Sequence, residues 1–80
     1  RPDKGYIQSI QRATAILRSF TEREPELGVI ELSRRLRLHK STVSRILSTL
    51  EIEGLVSKNP ETGKYRLGLG LISLAWVALG

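Results

Sequence analysis

The sequence predicts a small domain that is mostly α-helical and carries one β-hairpin, and three observations predict it. Up to Leu50, apolar residues recur every three or four positions, which is the spacing of amphipathic helices. Beyond Gly54 the pattern changes to an alternation of polar and apolar residues, which is typical of half-exposed strands. Between the alternating segments lies a run of residues that favour turns, Asn59-Pro60-Glu61-Thr62-Gly63.

The first helix is predicted over residues 10–21, after a loose N-terminal segment at residues 1–8. Ser9 is the expected N-cap, because its hydroxyl can accept a hydrogen bond from the first turn. Pro25 ends the helix, since a residue that precedes proline disfavours helical geometry. The apolar stripe of this helix consists of Ile10, Ala13, Leu17 and Phe20.

Two further helices follow, and a short turn separates them. The second is predicted over residues 30–36, and the preceding Leu27-Gly28-Val29 is a connection or at most a very short strand. The turn is Arg37-Leu38-His39, and the third helix covers residues 40–53. Gly54 then occupies the position at which a left-handed residue commonly ends a helix. The third helix has a complete apolar stripe of Val43, Ile46, Leu47 and Leu50.

A β-hairpin over residues 55–67 follows the third helix. Its strands are expected at residues 55–58 and 64–67, and a fourth helix is expected over residues 71–79. A short helix, a tight turn and a longer helix form a helix-turn-helix, and a hairpin directly after it is a wing. The predicted fold is therefore a winged helix-turn-helix, with residues 9–68 as the domain.

Composition excludes several classes of function. The 80 residues allow one domain. The chain has no cysteine and one histidine, which excludes a disulfide scaffold, a thiol catalyst and a zinc finger and predicts no metal site. Its four aromatic residues are too few for a platform on which single-stranded bases stack. An enzyme has almost no support, since the histidine lacks an evident partner and no glycine-rich phosphate loop is present.

No segment of the sequence predicts secretion or membrane insertion. Residues 1–10 lack the continuous apolar run of a secretory signal. The longest uncharged apolar stretch, residues 67–80, is too short to span a bilayer. The absence of cysteine fits a reducing compartment. We therefore expect a cytoplasmic protein that has no membrane partner.

The net charge of +5 belongs to one part of the chain. No acidic residue lies between Leu32 and Leu50, whereas this window holds five basic residues. The remaining eight basic residues are balanced by the eight acidic residues. A basic surface that is confined to the predicted helix-turn-helix indicates a partner that carries phosphates, such as nucleic acid.

The outward face of the third helix combines short hydroxyl side chains with two cations. A surface helix normally mixes acidic and basic residues, but this face has no carboxylate before Glu51. Short side chains let a helix enter the major groove of DNA, and an arginine can bind guanine through two hydrogen bonds. Ser41 has an alternative role in starting the helix. The predicted DNA contacts of this helix are Lys40, Ser41, Thr42, Ser44 and Arg45.

Other candidate DNA contacts flank the third helix, and each has a structural alternative. The two arginines of the second helix could only keep that helix soluble. The histidine could be a plain turn residue, and lysines in a hairpin also protect an edge strand from pairing. These candidates are Arg34, Arg35, His39, Lys58, Lys64 and Arg66.

Two sequence elements are specific enough to suggest a family. Lys-Ser-Thr-Val-x-Arg at residues 40–45 and Gly-x-Tyr-Arg-Leu-Gly at residues 63–68, at this separation, resemble the N-terminal DNA-binding domain of the IclR family of bacterial transcription regulators. The family usually has glycine where Arg37 stands and proline where His39 stands. Glycine would relieve a left-handed backbone, so Arg37 implies either mild strain or a different turn.

The resemblance implies partners for the domain and for the rest of such a protein. It implies binding of double-stranded DNA, and a larger C-terminal domain that binds a small-molecule effector and helps to assemble dimers or tetramers. Residues 69–80 are then an apolar linker or dimerisation helix, since a helix that is apolar on every face favours burial. No cofactor is expected in this segment. Candidate residues of the dimer interface are Leu71, Leu74 and Trp76.

Two functions remain open from the sequence. The first is sequence-specific binding of double-stranded DNA by a dimer on a pseudo-palindromic operator. The second is a winged-helix module for protein–protein interaction, in which the apolar fourth helix binds the partner and the basic face is incidental. The fourth helix has been given two roles, dimerisation and binding of a partner protein. The structural alternative to both is a helix that only covers the core.

Overall fold

A computed structural model of the chain describes residues 5–80. Residues 1–4, which belong to the predicted loose segment at residues 1–8, lie outside this range. The described chain is mostly helical with one antiparallel hairpin, which confirms the predicted fold class. The elements in chain order are α1 (Gln8–Ser19), α2 (Val29–Leu36), α3 (Lys40–Ile52), β1 (Val56–Lys58), β2 (Tyr65–Leu67) and α4 (Gly70–Leu79).

Helix α1 begins before the residue that the sequence predicts as its cap. Ile7 is the N-cap and makes no side-chain hydrogen bond to the helix, so the prediction of Ser9 as the cap is wrong. The extended Ile7 instead accepts, through its carbonyl oxygen, the N–H groups of Ile10 and Gln11 at 3.1 Å. The helix ends at Ser19, two residues before the predicted end, because Phe20 already has extended geometry.

A capping box starts α2 one residue earlier than predicted. The Glu31 carboxylate accepts a hydrogen bond from the Gly28 N–H at 2.8 Å, and Gly28 is the N-cap. A capping box has two hydrogen bonds, and the one from the N-cap backbone N–H to the N3 side chain needs no side chain at the cap. Glycine can therefore make it. Just before it, Leu27 forms an isolated β-bridge with Tyr65, with N–O distances of 2.9 and 3.0 Å. The short strand suggested at residues 27–29 is therefore present as one residue.

The hydrophobic core lies beneath the helix-turn-helix and is closed on one side by the hairpin. Helices α1, α2 and α3 contribute most of it, and Val56 and Tyr65 bury their side chains from the two strands. The inward residues of α3 are Val43, Leu47 and Leu50, so the opposite face of that helix is left to solvent. The fully buried side chains are Ile16, Leu27, Leu32, Val43 and Leu47.

The hairpin pairs Val56 with Leu67 and Lys58 with Tyr65. Each strand is one residue shorter than predicted, because Leu55 and Lys64 lie outside the ladder. The turn closes through Asn59, whose N–H donates to the Lys64 carbonyl and whose own carbonyl accepts the Gly63 N–H, both at 2.8 Å.

Two backbone hydrogen bonds attach the beginning of helix α4 to the segment that follows α3. Gly54 has φ of +80°, as predicted for the residue that ends α3. Its carbonyl oxygen accepts the Gly70 N–H at 2.9 Å, and the neighbouring Leu55 carbonyl accepts the Gly68 N–H at 2.8 Å. No side chain of α4 is buried within the chain, so α4 does not simply cover the core. Within residues 5–80, no helix is long and apolar enough to cross a membrane.

The turn between α2 and α3 contains a left-handed arginine. Arg37 has φ of +57°, and its N–H donates to the Ser33 carbonyl, which also accepts the Leu38 N–H at 3.0 Å. The turn therefore has the backbone that favours glycine, and Arg37 carries the strain.

Arg37→Gly is expected to raise the free energy of unfolding by about 0.8 kcal/mol. Relief of the left-handed backbone contributes about 1–2 kcal/mol, and the greater freedom of glycine in the unfolded chain removes about 0.4–1 kcal/mol. Urea unfolding measures the difference. Arg34→Gly is the matched control, since Arg34 is also exposed but lies inside α2, where glycine destabilises. Equal destabilisation by both changes would contradict the assignment of strain to Arg37.

Candidate nucleic-acid interface

The outward face of α3 presents hydroxyls and cations to solvent. Lys40, Ser41, Ser44 and Arg45 are exposed, and Thr42 is half-buried at the edge of this face. Among the side-chain hydrogen bonds of residues 5–80, the Thr49 hydroxyl donates to the Arg45 carbonyl at 2.9 Å, whereas the predicted contact hydroxyls donate to no backbone group. The hydroxyls of Ser41, Thr42 and Ser44 are therefore available to an external partner, and Ser41 does not start the helix by a cap hydrogen bond.

The beginning of α3 leaves backbone donors without a protein acceptor. His39 is the N-cap, with extended geometry and no side-chain hydrogen bond to the helix. The first N–H that reaches a main-chain acceptor is that of Val43, which donates to the His39 carbonyl at 3.1 Å. The N–H groups of residues 40–42 therefore point out of the helix end together with the positive end of its dipole.

The predicted cationic contacts separate into two groups. In the part of the chain that the structure describes, Arg34, Lys40, Arg45 and Lys58 form no ion pair with a carboxylate, and all four are exposed. The Lys58 ammonium lies 5.8 Å from the centroid of the Tyr65 ring. This cation–π contact places the Lys58 side chain against the neighbouring strand.

The other three cations each lie against a glutamate. Arg35 donates to both carboxylate oxygens of Glu24, with the Nη1–Oε1 distance at 2.8 Å. Lys64 Nζ lies 3.6 Å from Glu31 Oε1, and Arg66 Nε lies 3.8 Å from Glu26 Oε2. Glu24 lies outside residues 32–50 but neutralises Arg35 within them. The unbalanced positive charge of the helix-turn-helix is therefore smaller by one than the sequence suggests.

These contacts also change the protonation of the glutamates. The hydrogen bond from Arg35 holds the pKa of Glu24 below its ordinary value, and Glu24 in turn raises the pKa of Arg35. For Glu31, the hydrogen bond from the Gly28 N–H is the main cause of a lowered pKa, and the charge of Lys64 acts in the same direction. Glutamates are ionised at neutral pH at their ordinary pKa, so the lowered pKa of each carboxylate means that its negative charge, and the ion pair, persists to lower pH.

Comparison with known proteins assigns this arrangement to a family. The family profile of the IclR helix-turn-helix domain matches residues 9–60. The chain belongs to this family. It is 42% identical over 74 residues to the HTH-type transcriptional regulator XynR of Escherichia coli, a match that covers 92% of this chain and 29% of that protein. It is 39% identical over 79 residues to the HTH-type transcriptional regulator KdgR of the same species, covering 99% of this chain and 29% of the relative.

Solved structures of the IclR family have the same fold. An IclR family transcriptional regulator from Brucella abortus superposes with a TM-score of 0.89 at 32% identity, over 96% of this chain and 29% of that one. The regulator from Alicyclobacillus acidocaldarius gives a TM-score of 0.86 at 32% identity, over 91% and 30% of the two chains. The chain thus spans less than a third of the relatives it matches. The chain has the fold of the IclR helix-turn-helix domain, and the relatives named above are transcriptional regulators.

The IclR-family domain has a groove beside α3 that the sequence analysis did not predict. It lies between α1 and α3, has a volume of about 600 Å³, and is lined by Arg12 together with Thr42 and Arg45. None of the described residues that line it carries a carboxylate. Helical periodicity gives the face of each helix but not the crossing of two helices, so the sequence contained no signal that would bring Arg12 next to Arg45.

Helix α4 presents the residues that were predicted to form a dimer interface. Leu74 is 59% exposed and Trp76 is 76% exposed, whereas Leu71 is partly buried. Near the start of α1, Tyr6, Ile7 and Ile10 are also more than half exposed. The single chain therefore leaves a large apolar surface in contact with water, which is typical of an interaction site.

Proposed function

We propose that this domain binds a specific sequence of double-stranded DNA, with α3 (predicted at residues 40–53) in the major groove and the hairpin at residues 55–67 as the wing. The observation that carries the proposal is the outward face of α3, where exposed hydroxyls and two cations are present and no carboxylate precedes Glu51. Only short or flexible side chains line this face, so the helix backbone can approach the base edges.

The contacts divide by chemistry into base recognition and phosphate binding. Ser41, Thr42, Ser44 and Arg45 reach base edges, and Arg45 is suited to a two-bond contact with guanine. The free N–H groups at the beginning of α3 bind a phosphate, because a helix N-terminus attracts anions. The remaining phosphate contacts are Arg34, His39, Lys40 and Lys58.

The domain acts as a homodimer in this proposal. A second copy covers the apolar face of α4, with the exposed Leu74 and Trp76 and the partly buried Leu71. A two-fold dimer presents two copies of α3, and the recognition helices of such dimers enter grooves about 34–36 Å apart, or one helical turn. The corresponding DNA site is pseudo-palindromic. Burial of α4 against a copy removes apolar surface from water, which is the main driving force for such association.

For the whole protein we propose a bacterial transcription regulator in the cytoplasm, where the chromosome lies. The relatives are more than three times as long as this chain, which supports a further domain that binds a small-molecule effector and contributes to tetramers. We propose no cofactor for residues 5–80 and no membrane partner.

Selection of bound duplexes from a random pool tests the proposed function. The expected result is enrichment of an inverted repeat with half-sites about 10 base pairs apart, bound with a strong dependence on salt. The exposed apolar α4 favours a second candidate, a protein–protein interaction module. If no duplex binds even at low salt, DNA binding is contradicted and that second candidate is preferred.

A further inference from the structure

Three consecutive residues, Lys64 before β2 and Tyr65 and Arg66 within it, each contact residues 26–31, which lead into α2 and form its first turn. Tyr65 exchanges two backbone hydrogen bonds with Leu27 at 2.9 and 3.0 Å. On one side of this bridge Lys64 lies 3.6 Å from Glu31, and on the other side Arg66 lies 3.8 Å from Glu26. Besides its backbone hydrogen bond from Leu55 to Leu50 at the end of α3, the wing is therefore held against the start of α2 by one backbone bridge with an ion pair on either side.

The two cations are exposed on either side of a buried tyrosine. Tyr65 is 4% exposed and faces the core, whereas Arg66 in β2 and Lys64 directly before β2 are exposed. Glu26 also reaches the turn of the hairpin, since its Oε2 accepts a hydrogen bond from Asn59 Nδ2 at 3.4 Å. Val56 and Tyr65 anchor the inner face of the hairpin in the core, and the two ion pairs hold its solvent-facing side on either side of the bridge between Leu27 and Tyr65.

We propose that Glu26 and Glu31 are positioning residues for DNA recognition, which fix the angle of the wing relative to α3 by holding Arg66 and Lys64. This inference rests on the proposed DNA binding and refines it. Arg66 and Lys64 then serve the wing geometry instead of neutralising phosphates. The phosphate contact from the wing is Lys58, which forms no ion pair with any carboxylate in the described part of the chain.

The small energy of these two ion pairs determines which measurement can detect the loss of one of them. Both are partly exposed to solvent, and exposed ion pairs add little to the stability of a fold. Their effect on the wing angle nevertheless affects every contact that the wing makes together with α3. Removal of a glutamate should therefore change discrimination between DNA sequences more than it changes the unfolding temperature.

The test uses the full chain and two duplexes, the site obtained by random selection and an unrelated sequence, over a series of salt concentrations. Glu26→Gln and Glu31→Gln keep side-chain shape, and glutamine at position 31 still accepts the Gly28 N–H. Each is expected to lower the ratio of specific to nonspecific affinity about threefold, the change that one exposed ion pair can supply. The released cation is expected to steepen the salt dependence by about 0.9.

A charge exchange separates positioning from phosphate binding. Arg66→Glu alone places two acids together and should lower the affinity ratio, whereas the double variant Glu26→Arg with Arg66→Glu restores the pair at the same net charge. Recovery of the ratio and of the salt dependence in the double variant supports the inference. If the double variant binds as poorly as Arg66→Glu, Arg66 contacts phosphate and the inference is wrong. If the unmodified chain binds no duplex, the proposed function itself has failed.

Discussion

Gly68→Ala is expected to lower the free energy of unfolding by about 2–3 kcal/mol, the range of overpacking changes in a tightly packed site. A Cβ at Gly68 would overlap with the Gly54 carbonyl oxygen and would lie 2.9 Å from the Leu55 carbonyl carbon. These are backbone atoms at the end of α3, so they cannot move aside as a flexible side chain can. The hydrogen bond from the Gly68 N–H to the Leu55 carbonyl would have to lengthen.

Denaturant unfolding of the variant and of Gly28→Ala measures this effect. Gly28 is the control because a Cβ there meets side-chain atoms at 3.5 and 3.7 Å, which are ordinary contacts. Gly28→Ala should therefore lower the free energy of unfolding by less than about 1 kcal/mol. Gly70→Ala should also destabilise, since its Cβ would lie 2.6 Å from the Gly54 oxygen. Equal stability of Gly68→Ala and the unmodified domain would show that the exit of the wing does not pack closely on Gly54.

The glycine contact illustrates which parts of the fold are predictable from sequence. Periodicity predicts α1 to α3 and the hairpin, because each of these elements repeats its burial pattern locally, whereas α4 is predicted from a continuous apolar run. The sequence also indicates that Gly54 is left-handed, since the position after a helix has a known preference. It does not indicate that Gly68 and Gly70 meet Gly54, because close approach between segments distant along the chain has no periodic signal.

The errors at helix ends have a related cause. Ser9 has the side chain of a good cap, but Ile7 is the residue with extended geometry, and the conformation of the backbone decides the cap. The sequence analysis did not identify Glu31 as the residue whose carboxylate accepts a hydrogen bond from the Gly28 N–H. Its position three residues after Gly28 fits the capping-box spacing, so this signal was present in the sequence.

The interface divides in the same way between local and distant information. The face of α3 follows from the helical spacing of Val43, Leu47 and Leu50, which leaves its hydroxyls outside. The pairing of Arg35, Lys64 and Arg66 with glutamates is not predictable from a count of charges along the chain. Sequence alone therefore treats all basic residues alike, whereas the structure distinguishes those that pair with a carboxylate from those that pair with none within residues 5–80.

Replacement of Arg45 by alanine is expected to weaken binding to the selected site by about 5- to 150-fold, which corresponds to the roughly 1–3 kcal/mol that a two-bond contact to a base contributes. Binding to unrelated duplexes should fall much less, and the preference at one base pair should disappear. Lys40→Ala removes the same charge from the same exposed face of α3 and is the matched control. It should weaken all duplexes alike and reduce the salt dependence by about one unit.

Arg45→Lys distinguishes the shape of the side chain from its charge. Lysine keeps the positive charge but lacks the planar fork of donors, so it should retain nonspecific binding and still lose the base preference. Titration of each variant against the selected site and its single-base variants, at several salt concentrations, gives both quantities. If Arg45→Ala and Lys40→Ala lose affinity equally on every sequence, Arg45 binds a phosphate. Base recognition by α3 would then rest on the hydroxyls of Ser41, Thr42 and Ser44, whose removal should relax the preference that Arg45→Ala leaves intact.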